Sequence, residues 1–203
     1  MVQIPPPLSN MKRVFIIHGW GGTPNGDWYG WLKEKLKKEG FDAKCPEMPN
    51  TFNPKIDEWV SYLSKSVGNA DEDTYFIGHS IGCQAIMRYL ETLPNDTRIG
   101  GVIFVAGWFH LTDETWDEDY TPEIAEPWLK KPINLAKIKK HSPRFIDIAS
   151  DNDPYVPLDD KDIFQKKLGA EIIVLHNKGH ISGEDGIKDF PLLVKKLLAL
   201  SEK

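Results

Sequence analysis

Gly78-His79-Ser80-Ile81-Gly82 is the stretch of this 203-residue chain best suited to covalent chemistry. It follows Thr74 to Ile77, which reads as a strand, and it opens Ile81 to Leu93, which reads as a helix rich in apolar positions. G-x-S-x-G between a strand and a helix is a nucleophile elbow. The sharp turn lifts the serine hydroxyl above the strand ends. Glycines on both sides remove side chains that would collide with the neighbouring strand and helix. The same turn aims the amide of Ile81 at the oxygen of a bound carbonyl. A chain with this glycine and serine content gives roughly 0.05 such matches by chance, so the placement after a strand carries the reading.

A serine hydroxyl is a weak nucleophile until a base takes its proton and a third group holds that base. After an elbow of this kind the partners come in the chain order acid, then histidine. Asp153 stands in Ser150-Asp151-Asn152-Asp153-Pro154-Tyr155-Val156-Pro157, just past a strand read at Phe145 to Ala149. His180 stands in Lys178-Gly179-His180, just past a strand read at Glu171 to Leu175, and Gly179 frees that loop to turn the ring. Both positions lie at the carboxyl ends of strands, where open α/β sheets place their sites. His110 and His141 precede the acid, which is the wrong order. His18 and His79 flank backbone turns and read as structural.

Asp151 competes with Asp153. Pro154 restricts the residue before it to extended geometry and so fixes where Asp153 points. Asp153 also comes three residues before Val156-Pro157. Asp151, beside Asn152, reads as a turn former. The loop His18-Gly19-Trp20-Gly21-Gly22 follows the first strand and offers a second oxyanion donor, the amide of Trp20. No phosphate-binding glycine motif and no metal-ligand spacing is present, so no cofactor and no metal are expected.

The elements that must hold these residues alternate along the chain. Val14 to Ile17, Phe41 to Cys45, Thr74 to Ile77, Gly101 to Ala106, Phe145 to Ala149 and Glu171 to Leu175 read as strands. Asp27 reads as the cap of a helix closed by Gly40, and Asn53-Pro54 as the start of another. Asp160 to Leu168, closed by Gly169, and Phe190 to Leu200 read as two more. Six strands separated by helices predict a six-stranded parallel sheet with helices on both faces. Trp108 to His141 interrupts the rhythm. It is long, acidic in its first half and aromatic, and its Trp108 to Trp128 part is expected to lie over the elbow and favour short acyl chains. Trp20 and Trp108, beyond strand ends, are candidates to line the pocket.

A net charge of −5 argues against a nucleic-acid partner. The basic runs Lys33 to Lys38 and Lys137 to Lys140 read as wet helix faces. Two cysteines, Cys45 and Cys83, are too few for a disulfide framework and fit a reducing, cytoplasmic setting. No apolar stretch approaches ~20 residues, so no membrane span is expected. Residues 1–10, with Pro5 to Pro7, read as a disordered leader before a single domain at 11–203.

Trp28-Tyr29-Gly30-Trp31-Leu32, Gly78-His79-Ser80, Met87-Arg88-Tyr89, Lys131-Pro132-Ile133, Asp153-Pro154 and Gly179-His180 carry a resemblance. From Met11 onward the chain resembles the small serine hydrolases typified by the retinoblastoma-binding hydrolase and the bacterial YdeN proteins, within the α/β-hydrolase superfamily. The resemblance implies a three-layer α/β-hydrolase fold with no large cap domain. It implies esterase-like or peptidase-like activity, most simply that of a carboxylesterase, with a triad on Ser80, Asp153 and His180. The partner would be a small ester or amide. The L-x-C-x-E segment of the vertebrate member has no counterpart, so retinoblastoma-protein binding is not implied. The contrasting expectation is a binding protein that kept this fold and lost turnover.

Overall fold

The computed structural model describes residues 11–117 and 120–202, and the expected leader lies outside the described residues. Six strands form one sheet: β1 (Arg13–Ile17), β2 (Asp42–Lys44), β3 (Thr74–His79), β4 (Gly101–Val105), β5 (Phe145–Ser150) and β6 (Glu171–Leu175). Their order is β2-β1-β3-β4-β5-β6, and each neighbouring pair is parallel. The order reverses at β1, so the carboxyl ends of β1 and β3 flank the crevice where such sheets bind ligands.

Strands covered on both faces need apolar residues at every position, which is why the central runs show no alternation. In β1 the pleat sends Phe15 and Ile17 to one core and Val14 and Ile16 to the other. The first core is closed by α2 (Ile56–Val67) and α3 (Ile81–Thr92), through residues such as Trp59, Leu63 and Ile86. The second is closed by α1 (Tyr29–Lys38) and α7 (Pro191–Ser201), through Leu32, Leu36, Leu193 and Leu197. The result is three layers, the α/β-hydrolase architecture.

Two helix starts differ from the sequence reading. Asp27 caps nothing: Trp28 precedes α1 without a side-chain cap, and Asp27 instead accepts the Gly183 amide at 2.6 Å. Asn53-Pro54 stands before α2, whose first residue is Ile56. The Pro54 carbonyl is engaged elsewhere, accepting the indole N–H of Trp128 at 2.9 Å. The long insertion folds into α4 (Pro122–Lys130) and α5 (Leu135–His141) after a short 3-10 turn at Asp113–Thr115. The helix read over Asp160 to Leu168 is α6 (Asp160–Ile163) followed by a π turn, Phe164–Leu168, and Gly169 ends it in the left-handed conformation.

Both glycines of the elbow are required by contact rather than by conformation, Gly82 the more sharply. A Cβ on Gly82 would overlap Ile17 O and lie 2.8 Å from His18 O, both backbone atoms. Gly82→Ala should therefore destabilise by about 3 kcal/mol or more, about 10 °C in melting temperature. Thermal denaturation followed by circular dichroism checks it.

Asp147 on β5 is a carboxyl sealed into the core, with Oδ1 unpartnered. Burial, assisted by nearby Asp160, pushes its pKa up to about 8. A carboxyl raised above its unfolded value binds its proton more tightly in the folded state. Its contribution is best below pH 4 and is lost progressively as pH rises to about 8. Asp147→Asn, which mimics the neutral acid, is expected to raise the melting temperature more at pH 8 than at pH 5. An equal effect at both pH values would contradict a neutral Asp147.

Candidate active site

Ser80 sits between the end of β3 and the start of α3 with φ 52° and ψ −122°. That combination is strained for any residue bearing a Cβ, and such strain persists only where the surroundings over-determine it. Here two backbone hydrogen bonds hold the turn: Ser80 N–H to Val105 O at 2.9 Å and Cys83 N–H to Ser80 O at 2.9 Å. A Cβ on Gly78 would lie 2.8 Å from the Cys83 nitrogen, so the elbow closes tightly on both sides of the serine. Ile81 is the first residue of α3, where an amide has no acceptor within its own helix.

His180 lies in the loop after β6, and its Nδ1 donates to Asp153 Oδ2 at 2.8 Å. The other oxygen of that carboxylate accepts the amides of Tyr155 at 2.9 Å and Val156 at 3.1 Å. Asp153 is therefore locked before it meets the ring, and its side chain is only 3% exposed against 13% for His180. Tyr155 presses against the imidazole edge-on, with ring centroids 5.2 Å apart. With Nδ1 carrying the proton, Nε2 keeps its lone pair, as a base requires.

Asp151 lies apart from this pair. It accepts from exposed His176 at 2.6 Å and from the Asn177 amide at 2.9 Å. These hydrogen bonds, the amide first, hold its carboxyl below the usual range. His110 pairs with buried Asp160, which also takes the Phe109 and His110 amides. Buried His141 faces Thr97 O across 3.0 Å.

His79, the residue before Ser80, stands between elbow and histidine loop. Its Nε2 donates to the backbone carbonyl of His180 at 2.9 Å, and the two rings lie 5.1 Å apart. His79 thereby ties the elbow to the histidine loop, and among the described residues no hydrogen bond joins the Ser80 hydroxyl to the His180 ring. Such bonds are often long without substrate and shorten in the reacting complex.

The loop after β1 approaches from the other side. A Cβ on Gly19 would stand 3.7 Å from Ser80 Cβ. The Trp20 amide follows Gly19, and the described residues offer it no acceptor. His18 fixes this loop: Nδ1 donates to Gly19 O at 2.9 Å, and Nε2 accepts the Met48 amide at 3.1 Å. Burial lowers the His18 pKa and keeps the ring in this neutral form. Trp20 is half-buried and donates from its indole to Phe52 O at 3.2 Å. Tyr120 meets it edge-on at 5.2 Å.

The insertion thus reaches the site through Tyr120. Trp108 does not line a pocket. It is 1% exposed and belongs to the core, its carbonyl taken by Gln84. Trp128 is likewise core, stacked edge-on against Trp59.

The family model for serine hydrolases matches residues 14–199. The chain belongs to the serine hydrolase family. Within that family it is 28% identical over 192 residues to YdeN of Bacillus subtilis, covering 95% of this chain and 97% of that one. The crystal structure of that gene product superposes with a TM-score of 0.86, at 27% identity over 95% of this chain and all of the other. The serine hydrolase RBBP9 of Rattus norvegicus is 28% identical over 181 residues, 88% of this chain and 91% of that one. A structure from work on carboxylesterases of Nitrososphaera gargenis shares the fold, with a TM-score of 0.69 at 14% identity over 95% of this chain and 91% of the other. Among the described residues no helix is long and apolar enough to cross a membrane.

Two groups join the loops around Ser80, Asp153 and His180, and the sequence alone assigned neither of them that contact. Ser150 and Asn152 join the acid loop to the histidine loop: Ser150 Oγ accepts the Lys178 amide and Asn152 Oδ1 the Gly179 amide. Tyr29 and His79 join loops that are remote in sequence. Tyr29 lay in a stretch quoted for its resemblance and His79 within the elbow itself, but neither position announces its partner.

Proposed function

We propose that this serine hydrolase cleaves small carboxylic esters, with small amides as the slower class, through an acyl-enzyme on Ser80. The observation that carries the reading is the part-buried 2.8 Å bond from His180 Nδ1 to Asp153 Oδ2, together with a strained serine elbow. His180 Nε2 takes the proton as Ser80 Oγ attacks the carbonyl carbon. The amides of Trp20 and Ile81 receive the oxyanion. As the tetrahedral species collapses, His180 returns the proton to the departing alkoxide. Water then attacks the acyl-enzyme with the same histidine as base, and Ser80 is released. Asp153 stays ionised and holds the imidazole in the tautomer this sequence of steps needs.

Trp20, Tyr120 and the exposed ring of Phe52 crowd the oxyanion loop: a Cβ on Gly21 would lie 2.7 Å from Tyr120 Oη and 3.2 Å from Phe52 Cε1. This favours short acyl groups. Chromogenic acetyl, butyryl and lauroyl esters are expected to give a burst of one equivalent of alcohol, and kcat/KM at least tenfold higher for the two short chains. A preference for laurate would contradict the assignment of the pocket. Absence of burst and turnover across the panel would favour a binding protein without catalysis.

A further inference from the structure

Outside the catalytic groups, one buried polar chain touches all three loops of the site. The Gly19 amide donates to Tyr29 Oη at 3.1 Å, Tyr29 Oη meets His79 Nδ1 at 2.6 Å, and His79 Nε2 meets His180 O at 2.9 Å. Tyr29 is fully buried and His79 nearly so. A carbonyl can only accept, so Nε2 carries a proton. Burial, and then the neighbouring His180, press the His79 pKa down to about 4 and keep the ring neutral against the opposing pull of Asp27 and Asp153. Nδ1 is then an acceptor, and the Tyr29 hydroxyl donates to it while accepting from Gly19. The Asp27 carboxylate is a second acceptor facing the Tyr29 hydroxyl, beside His79 Nδ1. Asp27 adds a parallel tie, taking the Gly183 amide while its other oxygen lies 4.0 Å from His79 Nδ1. Trp28 packs edge-on against both rings, so the pair is held in place apolar-side as well.

We propose that Tyr29 and His79 are positioning residues: together they set the oxyanion loop and the His180 loop at fixed distances from the elbow. The proposal rests on the reading of Ser80 and His180 given above. Neither residue touches substrate. Their effect falls on alignment of the Trp20 amide and the His180 ring, and small misplacements of such groups cost turnover more than ground-state binding.

The test compares steady-state kinetics of wild type, Ser80→Ala, Tyr29→Phe, His79→Phe and His79→Gln on an acetyl ester, with melting temperatures alongside. His79→Phe keeps the ring's bulk and is expected to lower kcat about 10²-fold with KM within about twofold. Tyr29→Phe removes one oxygen and is expected to lower kcat about tenfold. His79→Gln places an amide N–H near the position of Nε2 and should recover about tenfold over His79→Phe. A folded His79→Phe enzyme with wild-type kcat, or a glutamine variant no better than phenylalanine, overturns the proposal. If His79→Phe does not fold, Tyr29→Phe decides in the same way. Inactive Ser80→Ala beside unimpaired brace variants removes the brace alone; an active Ser80→Ala removes the reading of the site and the brace with it.

Discussion

Ser80→Ala is expected to lower kcat by about 10⁶-fold, the size of the loss when the nucleophile of a subtilisin triad is removed. The fold should survive the change. The hydrogen bonds that hold the elbow, from the Ser80 amide to Val105 O and from the Cys83 amide to Ser80 O, use only backbone atoms. Alanine also occupies the same Cβ position at φ 52°, so neither strain nor packing changes. KM should stay near the wild-type value, because the change leaves the proposed oxyanion donors, the amides of Trp20 and Ile81, in place. Turnover within tenfold of wild type would mean that another group attacks the ester.

The second large effect separates two aspartates two residues apart. Asp153→Asn is expected to cost about 10⁴-fold in kcat, as in the serine-protease template. An asparagine there still receives the Tyr155 and Val156 amides on its oxygen, which turns its NH₂ toward the His180 ring. Nδ1 would have to accept rather than donate, Nε2 would carry the proton, and the base would be lost. Asp151→Asn breaks a pair that faces solvent, with the His176 side chain 81% exposed, and should change kcat by less than about threefold. Measuring both variants on one ester checks the assignment; a larger loss for Asp151→Asn contradicts it.

The sheet was legible because burial on both faces leaves a distinctive trace: continuous apolar runs such as Val14 to Ile17 and Val102 to Val105 cannot be amphipathic surface strands. The proposed serine, acid and histidine were chosen from the sequence because elbow geometry demands particular residue types at short spacing, and because chain order narrows the partners. Residues that act through distant contacts left no such trace. Asp27 has the composition of a helix cap, yet its carboxylate crosses 156 residues to Gly183. His79 read as structural beside a turn and Tyr29 stood only in a stretch quoted for its resemblance, since their bond spans 50 positions and the next spans 101. Trp108 stood beyond a strand end but turned into the core, where the apolar area of an indole is worth most. In the insertion, Pro122 at the first turn of α4 and Pro127 inside it obscured the helical period.

The central claim is that Ser80 is an activated nucleophile, and a fluorophosphonate probe reads that property directly because it reacts with serines whose proton a neighbouring base removes. Intact-mass analysis of the full chain after labelling is expected to show one adduct per molecule. Peptide mapping should place it on Ser80, with no adduct on Ser80→Ala and strongly slowed labelling of His180→Ala. An adduct mapped to any other residue, or a folded wild-type protein that takes up no probe, would contradict the account.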